Sequence, residues 1–149
     1  MRWGHLVLSL VLLSSACTSS RGKIVYDQYL PPSLAESSQN KPIHIEKITV
    51  DRSLDAERIE GNARYILRLL FQKRNEAKAG APFLSLEVVL KEDSFIREYR
   101  TWNTITAEIS LFDGPTLAFQ ALYTEEAEST LSSYSYLYTF LERATREVR

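Results

Sequence analysis

The side chains able to do chemistry in this chain are few and scattered. One cysteine, Cys17, and two histidines, His5 and His44, stand among 149 residues. A zinc site needs three or four ligands at short spacing, and a thiol nucleophile needs a base beside it; these three residues assemble neither. His44 has no second imidazole or cysteine within ligand spacing and reads as a structural or exposed histidine. Glu125, Glu126 and Glu128 form a carboxylate run. General acid/base pairs need apolar surroundings that split their pKa values, whereas this run reads as the solvated start of a helix, where negative charge suits the positive end of the dipole. Five glycines supply neither a P-loop nor a dinucleotide fingerprint. No catalytic residue, metal site or cofactor is expected, and the chain is not read as an enzyme. The segment richest in recognition chemistry is Phe95 to Trp102, FIREYRTW, which interleaves Arg97, Tyr99, Arg100 and Trp102. Guanidinium groups pair with phosphate or carboxylate and rings stack on apolar or sugar faces, so this set suits an anionic lipid, a glycan or a protein partner. The alternative is a long hairpin whose aromatics cap the core.

The surroundings of Cys17 give it a different role from catalysis. Arg2 makes a positive start, Leu6 to Leu13 (LVLSLVLL) is an apolar run, and the small residues Ser14, Ser15 and Ala16 follow. A membrane-spanning helix needs about 20 apolar residues, so an eight-residue run reads as a signal peptide over residues 1–16. Ser14-Ser15-Ala16-Cys17 resembles the bacterial lipobox, although the leucine usual three places before the cysteine stands one step earlier, at Leu13. That resemblance implies that Cys17 becomes the first mature residue and carries a diacylglycerol on its sulfur. Cleavage by an ordinary signal peptidase and a short uncleaved anchor are the alternatives. Two or more acyl chains give stable anchoring, where one is marginal. Thr18 after the cysteine, in place of the aspartate that retains some lipoproteins in the inner membrane, points to the outer membrane. Removing residues 1–16 takes away Arg2 and no acidic residue, so the remaining 133 carry 17 basic and 19 acidic side chains, a net of −2. Phosphate-backbone binding needs clustered Lys and Arg in excess, so nucleic acid is excluded as a partner.

From Thr18 to Pro42 the chain is polar and broken by Pro31-Pro32, so residues 17–42 read as the lipidated cysteine and a tether. Ile24, Val25, Tyr26, Tyr29 and Leu30 form an apolar island in it, read as a segment packed along its own domain or as a docking strip. Residues 43–149 read as a single α/β domain. Ile43 to Val50 is β-branched and forms a strand whose alternation slips between Ile45 and Ile48, as a bulge or a strand buried on both sides would. A helix capped by Asp51 or Ser53 follows, with Ile59, Ala63, Ile66, Leu67 and Leu70 on one face. Phe83 to Leu90, Thr101 to Phe112 and Thr116 to Thr124 alternate as three further strands, the last two joined by the turn Asp113-Gly114-Pro115. A closing helix is expected from Thr130 to Glu147, with Tyr134, Leu137, Tyr138, Leu141, Ala144 and Val148 inward, and Tyr136 and Phe140 partly exposed. The fold class is therefore α+β: a two-layer α/β sandwich in the order β-α-β-β-β-α, with a mostly antiparallel four-stranded sheet and two helices on one face.

SSAC, the strand IHIEKITV with the helix ERIEGNARYILRLLF, the hairpin SFIREYRTWNTITAEISLFDGPTLAFQALYTEE and the closing helix together resemble small bacterial envelope lipoproteins that assist lipid transport. The lipopolysaccharide-assembly accessory family and the auxiliary lipoproteins of ABC-type lipid transporters are both similar in plan, over most of residues 43–148. The first family implies a helix-on-sheet domain with basic loop residues at lipopolysaccharide, a role that falls here on Arg97 and Arg100. The resulting expectation is a lipid-anchored, non-enzymatic accessory protein in the bacterial outer membrane, facing the periplasm. Its partners would be the membrane, through acylated Cys17, and an envelope transport or assembly complex, with an anionic lipid or glycan as ligand. A surface-exposed ligand-binding lipoprotein and a structural lipoprotein contacting peptidoglycan are the alternatives.

Overall fold

The computed structural model describes residues 23–30, 34–51, 54–80 and 82–149. Residues 1–16, read above as a signal peptide, and Cys17 lie outside the described residues. The elements are β1 (Lys23–Leu30), a single helical turn α1 (Glu36–Gln39), β2 (Ile43–Asp51), α2 (Ala56–Ala77), β3 (Leu84–Arg97), β4 (Arg100–Asp113), β5 (Thr116–Ala127) and α3 (Tyr134–Ala144), with a last 3-10 turn over Arg146–Val148. The strands lie in the order β1-β5-β4-β3-β2, and every pairing is antiparallel except that of β2 with β3.

Period-two alternation builds the core side of the sheet. Leu84, Leu86, Val88 and Leu90 of β3, Ile105, Ala107, Ile109 and Leu111 of β4, and Phe119, Ala121 and Tyr123 of β5 are all buried. The two helices supply the second layer from one face, with Ile59, Ala63, Ile66, Leu67 and Phe71 of α2 and Leu137, Phe140 and Leu141 of α3 joining the same cluster. Each Ile, Leu or Phe among them contributes about 1.5–3 kcal/mol by leaving water, which is why the apolar stripe of each helix is fixed against the sheet. The opposite face is polar and half-exposed. Cross-strand pairs tie it together: the Thr106 and Thr124 hydroxyls lie 3.0 Å apart, and Gln120 Nε2 donates to Glu108 Oε1 at 3.0 Å. The slip expected in β2 is a bulge, with the β2–β3 register shifting between Ile45 and Lys47.

The two-layer α+β sandwich and its four strands and two helices follow the sequence pattern. Three details correct it. First, the sheet has a fifth strand. β1 pairs with β5 from Lys23↔Glu126 to Leu30↔Gln120, so the sheet begins inside the stretch read as tether, and residue 43 is not the domain boundary. The apolar island was its signal; Pro31-Pro32 directly after it and the polar residues around it masked that signal. Second, Glu125 and Glu126 belong to β5, which runs to Ala127, and Glu125 is fully buried. Third, α3 is rotated relative to the expected face. Tyr136 and Phe140 are buried while Tyr134 is exposed, because Tyr136 is drawn inward to Glu125 and Phe140 packs on the Tyr123 ring at 5.5 Å.

Two polar clamps hold the layers. At the C-terminal end of α2, the Arg74 guanidinium donates to the carbonyls of Lys41 (2.8 Å), Ser38 (2.9 Å) and Val148 (3.1 Å), joining the approach to β2 to the end of the chain. The Asn75 amide accepts from Ile43 N at 2.8 Å and donates to Ile43 O at 2.9 Å, as a neighbouring strand would, and so covers the start of the open edge strand β2. The second clamp is the Glu125 carboxylate. Tyr123 Oη donates to its Oε1 at 2.5 Å, Tyr136 Oη to its Oε2 at 3.0 Å, and Arg143 donates through Nε at 2.5 Å and Nη2 at 2.9 Å. Burial, and then the adjacent carboxylate, push both phenols well above their ordinary range, so they stay protonated donors. Burial works against the Arg143 charge, but the hydrogen bonds and the attraction of Glu125 outweigh it and raise its pKa.

Replacing Arg143 by Met should leave the Glu125 carboxylate buried without its counterion and cost about 3 kcal/mol, read from urea unfolding. The double variant Glu125→Gln with Arg143→Met should lose clearly less than the two single losses added together. Strict additivity would mean that the pair does not hold α3 to β5.

Candidate functional site: the tip of the β3–β4 hairpin

β3 and β4 are the longest strands, 14 residues each, and they outrun their neighbours. β2 pairs with β3 only as far as Lys91, and β5 reaches β4 only at Asn103. β3 continues against β4 alone from Glu92, and beyond Asn103 the residues Phe95 to Arg97 and Arg100 to Trp102 pair only with each other, in a two-stranded ribbon. At about 3.3 Å per residue, the tip stands about 10 Å past the last β4–β5 pair and about 20 Å past the last β2–β3 pair. The ribbon's root is bolted to the loop after β5. Glu92 Oε2 accepts from Leu131 N at 2.6 Å, and buried Asn103 donates to Ser129 O at 2.9 Å while accepting from Ser94 Oγ at 2.6 Å.

Register then sorts the side chains. Phe95↔Trp102 and Arg97↔Arg100 are cross-strand partners on the face turned away from the helices, so these aromatics do not cap the core. The Arg97 guanidinium carbon lies 5.1 Å from the Phe95 ring centre and 5.5 Å from that of Trp102, a cation–π arrangement on two rings. Nη1 and Nη2 of Arg97 both reach Glu126 Oε2 at 3.1 Å, and Arg100 Nη1 reaches Glu128 Oε1 at 3.1 Å. These pairs are partly exposed and contribute between about zero and 1 kcal/mol each. Their effect is to neutralise the two arginines locally, using the acidic run at the end of β5.

The structure therefore brings Arg97, Tyr99, Arg100 and Trp102 together, as expected, but divides them. Arg97 and Trp102 are packed with Phe95, whereas Tyr99 is fully exposed at the apex (103%) and Ile96, on the other face of the ribbon, is 79% exposed. Ile96 and the glutamate partners escaped sequence reading because only register places Glu126 and Glu128 beside the ribbon. The turn itself is costly: Glu98 and Tyr99 lie at φ +52° and +61°, the left-handed region in which a two-residue type I′ hairpin normally carries Asn-Gly.

Other places that could do chemistry are less developed. Among the described residues no three His, Cys, Asp or Glu side chains converge as metal ligands. His44 is exposed and stacks on Phe83 with ring centres 4.1 Å apart, at the mouth of an open groove of about 740 Å³ between β2 and α2. Among the described residues the one fully buried carboxylate, that of Glu125, has both oxygens occupied by Tyr123, Tyr136 and Arg143.

No protein-family model matches the chain, and no curated protein matches its sequence. Among solved structures the chain is similar to the PelC dodecamer from Paraburkholderia phytofirmans, with a TM-score of 0.56 and 13% identity over 83% of this chain and 96% of that one. A point variant of the same dodecamer gives a TM-score of 0.55 and 13% identity over 83% and 99%. Identity this low shows a shared fold alone.

Relieving the turn should separate its shape from its side chains. Glu98→Asn with Tyr99→Gly should raise stability by about 1–2 kcal/mol, read as a higher urea midpoint, because Gly and Asn accept positive φ at little cost. A drop in the midpoint would mean that the Tyr99 ring makes folded-state contacts that its exposure does not suggest.

Proposed function

We propose that this chain is a lipid-anchored, non-enzymatic accessory protein of a bacterial envelope transport or assembly complex, held by Cys17 in the outer membrane and facing the periplasm. The observation that carries the reading is the placement of the chain's one cysteine, directly after an eight-residue apolar run and Ser-Ser-Ala, and six residues before the first strand of a folded sandwich. Binding, not turnover, fits the remaining chemistry: the buried carboxylate is consumed in holding α3, and the exposed features are a projecting ribbon and open strand edges. The cargo class suggested by the resemblance to lipopolysaccharide-assembly and lipid-transport lipoproteins is a lipid or lipopolysaccharide.

A second element of the proposal is self-association. The similar fold of PelC occurs in a dodecamer, and a sheet whose β1 and β2 edges have no neighbouring strand among the described residues has the backbone groups for copies to meet edge to edge. That supports a multimeric accessory protein.

Crosslinking in intact cells, followed by purification from membranes, tests both. Captured envelope transport or assembly proteins together with a diacylglyceryl mass on Cys17 are expected, and Cys17→Ser should move the protein to the soluble periplasmic fraction. An unmodified Cys17 would refute the anchor. A native mass of one chain in mild detergent would refute self-association while leaving the anchor standing.

A further inference from the structure

We infer that the β3–β4 hairpin tip is the membrane-facing end of the domain, with Ile96 and Tyr99 seated in the interfacial layer of the bilayer that holds Cys17. The inference rests on the proposed acylation of Cys17 and adds to it which end of the fold meets lipid.

Register supplies the first part of the argument. β1 enters the sheet at Lys23, paired with Glu126, which is itself paired with Thr104. The chain therefore arrives at the same end of the sheet from which the ribbon projects. Lys23 lies six residues after Cys17, and at 3.3–3.6 Å per residue that stretch spans at most about 22 Å. The tip lies four residues beyond the level of Lys23, about 13 Å, so it falls within the tether's reach. The turn Asp113-Gly114 lies at the opposite end of the sheet, ten residues from Glu126 along β5 at Thr116, about 33 Å away. An upright domain with that turn against the bilayer would hold Lys23 beyond the tether's length. The anchor thus selects the hairpin end.

The side chains at that end supply the second part. Ile96 and Tyr99 are 79% and 103% exposed, and Leu54, in the connection from β2 to α2 at the same end, is also fully exposed. Tyr, with an apolar ring and a polar tip, suits the headgroup layer, and Ile gains from leaving water. Two non-glycine residues at positive φ hold the apex in a conformation that Gly and Asn would adopt at lower cost, and they point a tyrosine away from the protein. Positive charge contributes little: Arg97 and Arg100 are matched by Glu126 and Glu128, and the apex residue Glu98 is itself acidic and exposed, so the seat rests on Ile96 and Tyr99 and does not require anionic lipid.

The test uses the full-length, acylated protein in phosphatidylcholine vesicles. Because acylation occupies the sulfur of Cys17, an environment-sensitive fluorophore can be placed on Glu98→Cys at the tip or, separately, on Thr116→Cys at the far end. A blue-shifted emission quenched by nitroxide-bearing lipid is expected at position 98, with water-like emission and no quenching at position 116. Adding Ile96→Ser and Tyr99→Ser to the Glu98→Cys protein should remove most of that quenching. Equal quenching at the two positions, or none at position 98 in a protein whose mass shows the acyl chains, overturns the inference and leaves the anchor intact. Quenching that appears only with phosphatidylglycerol would overturn the apolar seat in favour of arginine–lipid contact. A second fluorophore on Cys17, seen by mass, would show that the cysteine is free and would refute the anchor and the inference together.

Discussion

The arrangement of this domain depends on one buried charge. The Glu125 carboxylate sits at the core face of β5 with no exposure to solvent, and burying a carboxylate is tolerated only when its oxygens are filled and its charge is matched. Tyr123 from its own strand, and Tyr136 and Arg143 from α3, meet that demand from three directions. A hydrophobic stripe alone would let an eleven-residue helix slide or rotate at modest cost. A forked hydrogen bond to a fixed carboxylate does not, and it sets the rotation that buries Phe140 and exposes Tyr134.

That constraint reaches the hairpin through the loop between β5 and α3. Because β5 and α3 are locked, the intervening Ser129 and Leu131 are in place to receive Asn103 and Glu92, and the root of the ribbon becomes rigid. Beyond the root the ribbon is held by its own ladder, by Arg97 packed on Phe95 and Trp102, and by the ion pairs of Arg97 with Glu126 and Arg100 with Glu128. The fold thus presents a stiff two-stranded arm whose apex carries unshielded apolar side chains. The other end of the molecule is closed by Arg74 and Asn75, which spend their polar groups on backbone, so the two ends of the sheet differ in character.

Much of this was legible in the residues. Alternation in Leu84 to Leu90 and Asn103 to Leu111, and the three-and-four spacing from Ile59 to Leu67, specify strand and helix because those periods are the geometries in which one face leaves water. Three readings failed where local pattern and long-range partner disagree. Lys23–Leu30 is short and ends against two prolines, and only its pairing with β5 makes it a strand. Glu125 has the composition of a helix start, and only Arg143, 18 residues later, makes its burial affordable. Tyr136 lies off the stripe read from helix periodicity, and only the same carboxylate turns it inward.

For the candidate site the division is similar. The sequence by itself determined that Arg97, Tyr99, Arg100 and Trp102 are close together, because they fall within six residues, and that Cys17 follows a leader-like apolar run, because that pattern is local. The tertiary structure decided that Glu126 and Glu128 neutralise the arginines, that Ile96 and Tyr99 are the large apolar side chains left exposed at the tip, and that Lys23 enters at the same end of the sheet. Neighbourhood along the chain is written in the order of residues, whereas neighbourhood across strands depends on register, and register is fixed only when the whole sheet and its buried face come together.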